Sequence, residues 1–142
     1  MIAFEFDFTD TGLCAFPVDV LGTVDNRYRP FVATDGSGDL AREITHYRFR
    51  VTISNPATGR SFDGEADFQQ RAVFLPDGIV QLHDTGLQQN VRIDDSRQVV
   101  FHQAGNHGVL LGPDDDVLEE TFHGNWPSDQ AGVVCPILAQ PR

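Results

Sequence analysis

Apolar and polar residues alternate one by one in two separate parts of the chain. In residues 47–53, aromatic or aliphatic side chains occupy every second position, and arginine or threonine fills the positions between them. Residues 2–8 show a similar pattern, in which Glu5 and Asp7 separate three phenylalanines. A period of two places successive side chains on opposite faces of a strand, whereas a helix repeats every 3.6 residues. Both segments are therefore predicted to be half-buried β-strands.

Two turn sequences connect the strand at residues 47–53 to further strands. Residues 55–59 read Asn-Pro-Ala-Thr-Gly and residues 76–78 read Pro-Asp-Gly, and both contain residue types that favour tight turns. Each lies between apolar segments, so each is expected to reverse the chain. Residues 45–84 are therefore predicted to form a meander of three strands, which needs other strands to complete its core.

Shorter apolar runs predict the remaining elements. Strands are expected at residues 17–24, 31–33, 87–93, 99–102, 109–111, 117–122 and 133–138, and one helical turn at residues 40–44. Residues 117–121 also fit a helical turn, but a strand is the preferred interpretation. Turn signals recur roughly every 8 to 12 residues, the spacing of antiparallel sandwiches and barrels. We therefore expect residues 1–142 to form one all-β domain, an antiparallel sandwich or squat barrel of about eight to ten short strands with little helix.

The charge of the chain argues against two classes of partner. All ten basic residues are arginine, against 21 acidic residues, and the formal net charge is −11. Nucleic acids and anionic lipid surfaces are bound mainly through clusters of lysine and arginine. The sequence also lacks the roughly 20-residue apolar run of a membrane-spanning helix, and it starts without the pattern of a signal peptide. We expect neither a nucleic-acid partner nor a membrane partner.

The two cysteines, Cys14 and Cys135, lie near opposite ends of the chain. If they form a disulfide, they close a loop of about 120 residues, which in the chain-entropy account stabilises the fold by about 5 kcal/mol. The alternative is a pair of separate buried thiols that fill space in the core. The spacing alone leaves both interpretations open.

No metal site is predicted. The five histidines include no pair at the spacing that directs two rings at one ion, although His83, His102 and His123 could still converge across strands. Residues 35–46 begin like a calcium loop, but the glycine that such a loop needs at its sixth position and the acidic residue at its twelfth are missing. We therefore expect no metal and no other cofactor.

The sequence also lacks recognisable catalytic motifs. Ser37 is not in the strand-to-helix turn of a nucleophile elbow, and no glycine-rich loop leads into a helix with a lysine. The chain is therefore predicted not to be an enzyme. Partner contacts are expected at Arg48 and Arg50, which lie side by side on one predicted strand face. Trp126, in a predicted loop, is either a lid over the core or a further anchor for a partner.

Four short sequences occur together in an order that carries a resemblance. They are residues 13–18 (LCAFPV), 54–60 (SNPATGR), 76–78 with 84–86 (PDG and DTG) and 134–139 (VCPILA). In these features the chain resembles a group of small, uncharacterised all-β proteins of actinobacteria and their phages. The resemblance implies an all-β fold and a disulfide between Cys14 and Cys135, and it implies no activity.

These observations together favour a non-enzymatic structural or binding module with protein partners or a homo-oligomeric assembly. The leading expectation is a virion-associated accessory protein of the capsid or tail of an actinobacterial phage, located in the virion or outside the cell. One alternative is a β-barrel that binds a small ligand, or an isomerase-like enzyme, with the ligand in an interior lined by phenylalanine. A second alternative is a secreted actinobacterial protein.

Overall fold

The strands of the protein form one open antiparallel sheet. The computed structural model describes residues 2–94 and 96–141. Seven strands follow one another in the sheet in sequence order, and each neighbouring pair is antiparallel. The elements are β1 (Ile2–Asp10), β2 (Val18–Val32), β3 (Leu40–Ser54), β4 (Ser61–Phe74), β5 (Val80–Ile93), β6 (Val99–Leu111), β7 (Val117–Asn125) and the helix α1 (Gln130–Leu138). A short 3₁₀ turn, Pro76–Gly78, connects β4 to β5.

The antiparallel, mostly β architecture confirms the predicted fold class, but the strands are arranged differently from the prediction. Within the described ranges, β1 pairs only with β2 and β7 only with β6, so the structure is a single open sheet rather than a sandwich or barrel. An odd number of strands leaves β1 and β7 running in the same direction. Closing a barrel would therefore need a parallel pair, which is slightly less stable per residue than an antiparallel one.

The strands are also fewer and longer than predicted. β2 and β3 each contain 15 residues, because hydrogen-bonded pairing continues beyond the apolar runs that indicated them. Residues 31 and 32 extend β2 instead of forming a separate strand. Residues 40–44, predicted to be a helical turn, are the first residues of β3 and pair with β2. The preferred strand interpretation of residues 117–122 is confirmed by β7.

The prediction of a strand at residues 133–138 is wrong, because these residues lie in α1. Asp129 caps this helix, since its side chain accepts a hydrogen bond from the backbone N–H of Gly132 at 2.9 Å. The apolar pairs 133–134 and 137–138 are one helical turn apart. That spacing gives a helix one apolar stripe, whereas it would put apolar residues on both faces of a strand.

Helix α1 covers one end of one face of the sheet, which we call the apolar face. Val134 and Leu138 of the helix pack with Val18 and Phe62 of the sheet, and all four side chains are fully buried. The predicted disulfide is confirmed: Cys14, between β1 and β2, is bonded to Cys135 of α1, with 5.6 Å between their Cα atoms. The first and last parts of the chain are thus joined at this covered end.

The turn between β3 and β4 forms hydrogen bonds with the C-terminal end of α1. Nδ2 of Asn55 donates a hydrogen bond to the backbone oxygen of Leu138 at 3.0 Å, and Oγ1 of Thr58 donates to the same oxygen at 2.8 Å. A helix leaves its last backbone carbonyl groups without partners inside the helix. The polar residues of this turn therefore satisfy a carbonyl group that would otherwise be buried without a partner.

Three glycines form a row across β5, β6 and β7. Gly86 lies opposite Gly105, and Gly105 lies opposite Gly124. Their φ angles are 120°, 135° and 108°, in a region that residues with a side chain rarely adopt. A Cβ atom at Gly105 would overlap the backbone oxygen of His123. The row therefore holds three neighbouring strands in a backbone conformation and at a distance that a side chain would disturb.

Replacing Gly105 by alanine is expected to lower the free energy of unfolding by about 2 kcal/mol or more. The added Cβ both strains a positive φ and overlaps a backbone atom, which cannot move without disturbing the pairing of β6 with β7. Urea unfolding followed by circular dichroism measures the change.

Gly12→Ala is the matched control, because Gly12 lies outside the strands and the nearest atom to an added Cβ is 3.5 Å away. This variant is expected to change stability by about 0.5 kcal/mol or less. Equal unfolding midpoints for the two variants would contradict the role assigned to the glycine row.

Candidate functional site

Beyond α1 the apolar face continues without a covering layer in the part of the chain that the structure describes. Phe4 lies opposite Val24, and Val24 lies opposite Phe49. The adjacent row pairs Tyr47 with Phe68. Six aromatic side chains define this surface, which we call the aromatic face: Phe4, Phe8, Tyr28, Tyr47, Phe49 and Phe68.

The rings of the aromatic face fall into two groups. Tyr47, Phe49 and Phe68 form a triangle of nearly parallel rings whose centroids are 5.1 to 6.3 Å apart. The other three rings lie on β1 and β2, and each is between 50% and 53% exposed. The alternation in the sequence predicted that Phe4 and Phe8 share one face of their strand and that Tyr47 and Phe49 share one face of theirs. It gave no indication that the face is only partly covered.

A cavity of about 430 Å³ lies between the aromatic face and the N-terminal end of α1. Its apolar wall includes Phe49, Phe68 and Val91. Four glutamines also line it: Gln88, Gln89, Gln103 and Gln130. Nε2 of Gln88 and Oε1 of Gln89 are buried and have no hydrogen-bond partner among the described residues. Each buried unpaired group of this kind costs about 1–3 kcal/mol, so a partner for these amides would be favourable.

A second cluster lies at the β7 side of the same face, and the sequence did not predict it. Nε2 of His107 is 2.7 Å from Oε1 of Glu120, and Nδ1 is 3.6 Å from Oδ2 of Asp84. The imidazole stacks on Phe122 at 4.5 Å between centroids. Trp126 packs against both of these rings at 5.3 Å. The members come from β5, β6 and β7 and from the residue after β7, so no spacing in the sequence could have indicated the whole cluster.

These contacts show where Trp126 lies. Its side chain is half-buried above the His107 and Phe122 rings, and Nε1 donates a hydrogen bond to the backbone oxygen of His123 at 2.9 Å. The ring therefore acts as a lid over this cluster near the end of β7. A role for Trp126 in contacting a partner stays a prediction.

Arg48 and Arg50 lie side by side on the opposite, polar face of the sheet, as the alternation predicted. Nε of Arg48 donates to Oδ2 of Asp67 at 3.3 Å, and a guanidinium nitrogen of Arg50 is 3.8 Å from Glu65. The two arginine side chains are 50% and 71% exposed. Each positive charge is thus partly balanced by a carboxylate on β4, and contact with a partner stays a prediction for both.

The Asp67 carboxylate has two basic neighbours. Nε2 of His46 lies 2.6 Å from Oδ1 of Asp67, while Arg48 holds Oδ2. The hydrogen bond to His46 is the main reason that the pKa of Asp67 lies below its ordinary value of 3.8, and the charges of His46 and Arg48 act in the same direction. The folded state therefore favours the ionised carboxylate.

A groove of about 570 Å³ crosses the polar face beside Arg50. Three arginines and three acidic residues line it: Arg50, Arg92, Arg97, Glu5, Asp63 and Glu65. Glu65 lies 3.8 Å from both Arg50 and Arg92, and Arg97 lies 2.8 Å from Asp63. The positive and negative charges in the lining balance, so the groove differs from the strongly acidic remainder of the chain.

The end of the sheet away from α1 is acidic. Alternate turns of a meander lie at the same end, which brings together the turns at residues 33–39, 75–79 and 112–116. These turns contain six aspartates and no lysine or arginine: Asp35, Asp39, Asp77, Asp114, Asp115 and Asp116. The molecule therefore has one end covered by α1 and one end with concentrated negative charge.

The histidines do not form a metal site in the described ranges. His83 pairs with Gly108, His102 with Asn90 and His123 with Asn106, so the three rings lie in different rows of the sheet. No group of three or more histidine, cysteine, aspartate or glutamate side chains among the described residues could hold an ion. Within the same residues, the structure has no helix with the length and apolar character needed to cross a bilayer.

Comparisons with protein-family models, with curated proteins and with solved structures found no match to this chain. The resemblance to small actinobacterial and phage proteins therefore stays a prediction.

Asp67→Asn is expected to reduce stability in a pH-dependent way. Because the folded-state pKa of Asp67 is depressed, its stabilising contribution is present above the ordinary value of 3.8 and is lost as pH falls through the lowered folded-state pKa. The side chain is 45% exposed, so the effect at neutral pH is on the order of 0–1 kcal/mol. Urea unfolding of both proteins between about pH 6 and pH 2.5 measures the difference.

His46→Gln supplies the comparison, since it removes the main cause of the shift without removing the carboxylate. The coupling between the two substitutions in a double-mutant cycle should be present at neutral pH and vanish at the acidic end. A coupling energy that stays constant over this range would contradict the assignment.

Proposed function

We propose that this protein is a non-enzymatic binding module that docks a protein partner on its aromatic face. The half-exposed rings of Phe4, Phe8 and Tyr28 carry the proposal. A fully buried aromatic side chain removes about 150–250 Å² from water, so three half-exposed rings leave on the order of 300 Å² exposed. Phe8 lies opposite Val20, Phe4 lies opposite Val24, and Tyr28 follows four residues later on β2, so the rings form a line along the sheet. Exposed apolar surface on a monomer often marks an interaction site.

The charge distribution limits the chemistry of the partner. The acidic turns lie at one end of the aromatic face, and the whole chain carries a formal charge of −11. Complementary charge speeds association and disfavours partners of like charge. The partner surface is therefore apolar at its centre and basic at its rim.

A protein of a virus particle is the partner that fits the sequence resemblance. The predicted resemblance of its short sequences to those of actinobacterial and phage proteins is the reason for proposing the particle role. The disulfide is compatible with a location in the virion or outside the cell, because disulfides persist mainly in oxidising environments.

Incorporation into particles tests this role. Particles of the virus whose genome encodes the chain would be purified, and the number of copies per particle measured by quantitative mass spectrometry. Phe4→Ser with Phe8→Ser is expected to reduce incorporation about tenfold or more, because the docking contact loses two aromatic anchors. Both rings are half exposed, so the variant is expected to retain its fold, which circular dichroism checks.

Leu21→Ser is the matched control, since Leu21 is a 58% exposed apolar residue on the polar face. It should leave incorporation unchanged. Arg48→Ser with Arg50→Ser tests the other predicted contact surface. If the phenylalanine variant enters particles at the same copy number as the wild type, docking on the aromatic face is excluded. If the wild-type chain is absent from particles, the particle role is excluded.

The cavity beside α1 favours a second candidate function, the binding of a neutral small molecule. Its volume of about 430 Å³ is in the range of ordinary ligand sites. The rings of Phe49 and Phe68 offer a flat apolar wall, and four glutamines supply the polar part of the lining. A ligand with an apolar ring and a polar edge suits this combination.

N-phenyl-1-naphthylamine, a neutral fluorescent probe with one N–H group, tests the second candidate. We expect saturable binding to the wild type and about tenfold weaker binding to Ala66→Leu, because Ala66 lies in the cavity lining and the larger side chain fills it. Leu21→Ala on the opposite face should bind as the wild type does. Absence of saturable binding, or equal affinity for all three proteins, would remove this candidate.

A further inference from the structure

The two edges of the open sheet differ in how well they are protected against pairing. An edge strand presents unpaired backbone N–H and C=O groups that another strand can bind. All nine residues of β7 are exposed, including the apolar Val117, Leu118 and Phe122. β7 has no proline or lysine, which often protect such an edge. The β7 edge is therefore open to a further strand.

The β1 edge is protected against a second copy of itself by charge. When a two-fold axis perpendicular to the sheet relates two copies of an edge strand, the two strands pair antiparallel. The apolar faces of the two sheets then lie on the same side. For β1, the three registers with the greatest overlap are centred on Glu5, Phe6 or Asp7. In the registers centred on Glu5 and on Asp7, the central carboxylate lies opposite its own copy. In the register centred on Phe6, Glu5 of each copy lies opposite Asp7 of the other copy. Like charges directly opposite each other destabilise strand pairing.

The β7 edge has a register without this repulsion. Thr121 is the central residue of the strand, and a two-fold axis at Thr121 pairs all nine residues. Glu119 then lies opposite His123 of the second copy, and Glu120 lies opposite Phe122. Glu120 is already held by His107 of its own chain at 2.7 Å. Neither acidic residue of β7 therefore faces another acidic residue.

We propose that β7 pairs with β7 of a second copy, antiparallel about Thr121, to form a dimer with one continuous 14-stranded sheet. The interface is isologous, because each copy contributes the same strand to a two-fold axis. The two Glu119–His123 pairs and the Thr121–Thr121 pair are the cross-strand contacts that select this register. The inference rests on the edge strand and goes beyond the proposed docking function, since all six residues of the aromatic face lie on β1 to β4 and remain accessible.

A cysteine at the two-fold axis tests the arrangement directly. Opposite residues in an antiparallel pair have Cα atoms about 4.5–5.5 Å apart, within the range that a disulfide spans. Thr121→Cys is therefore expected to form a covalent dimer under mild oxidation, seen by non-reducing electrophoresis and located by peptide mass analysis. The native Cys14–Cys135 disulfide remains as an internal check that the chain is folded.

His123→Cys is the matched control on the same exposed strand. In the proposed register residue 123 lies about 14 Å from its own copy, which a disulfide cannot span. This variant should remain uncrosslinked under the conditions that crosslink Thr121→Cys. Equal crosslinking of both variants would show random collision. Crosslinking of Phe122→Cys in place of Thr121→Cys would place the axis at residue 122 and overturn the proposed register.

Charge substitutions test the same contact without a crosslink. The wild type should sediment at about 100 µM with twice the 15.7 kDa mass of the chain. His123→Glu should weaken the dimer about tenfold or more, because it creates two Glu–Glu pairs, and Glu119→Arg added to it should restore association. A monomeric wild type, or a dimer insensitive to His123→Glu, would overturn the proposal. A monomer that still enters particles would leave the proposed docking function intact.

Discussion

The stability of this protein depends on the contact between a nine-residue helix and one end of a seven-stranded sheet. A sheet standing alone buries neither face, so it needs a second layer to form a core. Here Val134 and Leu138 supply that layer over Val18 and Phe62. The Cys14–Cys135 disulfide and the hydrogen bonds from Asn55 and Thr58 to Leu138 hold the helix in place. Several short sequences that carry the resemblance contribute to this one contact.

Because α1 is short, the two ends of the sheet have different properties. The covered end contains the core, while the aromatic face continues beyond the helix with several half-exposed rings. In the three turns at the far end, every charged residue is an aspartate. The sheet surface is apolar next to α1 and acidic at the far end. This change in chemistry along the sheet connects the architecture to the proposed docking function.

The open sheet also has two edges of different chemistry. β1 alternates phenylalanine with glutamate and aspartate, so a second β1 would bring carboxylates together. β7 places its acidic residues where His107 of the same chain or His123 of a second copy can face them. The glycine row at Gly86, Gly105 and Gly124 crosses the strands next to this second edge and ends on β7 itself. Self-association and docking can therefore use separate parts of one sheet.

The sequence by itself determined the strands with strict alternation, the turns between them and the opposite faces of Phe49 and Arg50. These features are local, because a period of two and a turn-forming tetrapeptide each act over a few residues. The resemblance also predicted the disulfide between Cys14 and Cys135. Tertiary structure alone decided the extension of β3 to Leu40, the helical state of residues 133–138 and the openness of the sheet. Those outcomes depend on which distant residues pair or pack, since a helix face needs a sheet to cover and a closed barrel needs its two edge strands to pair.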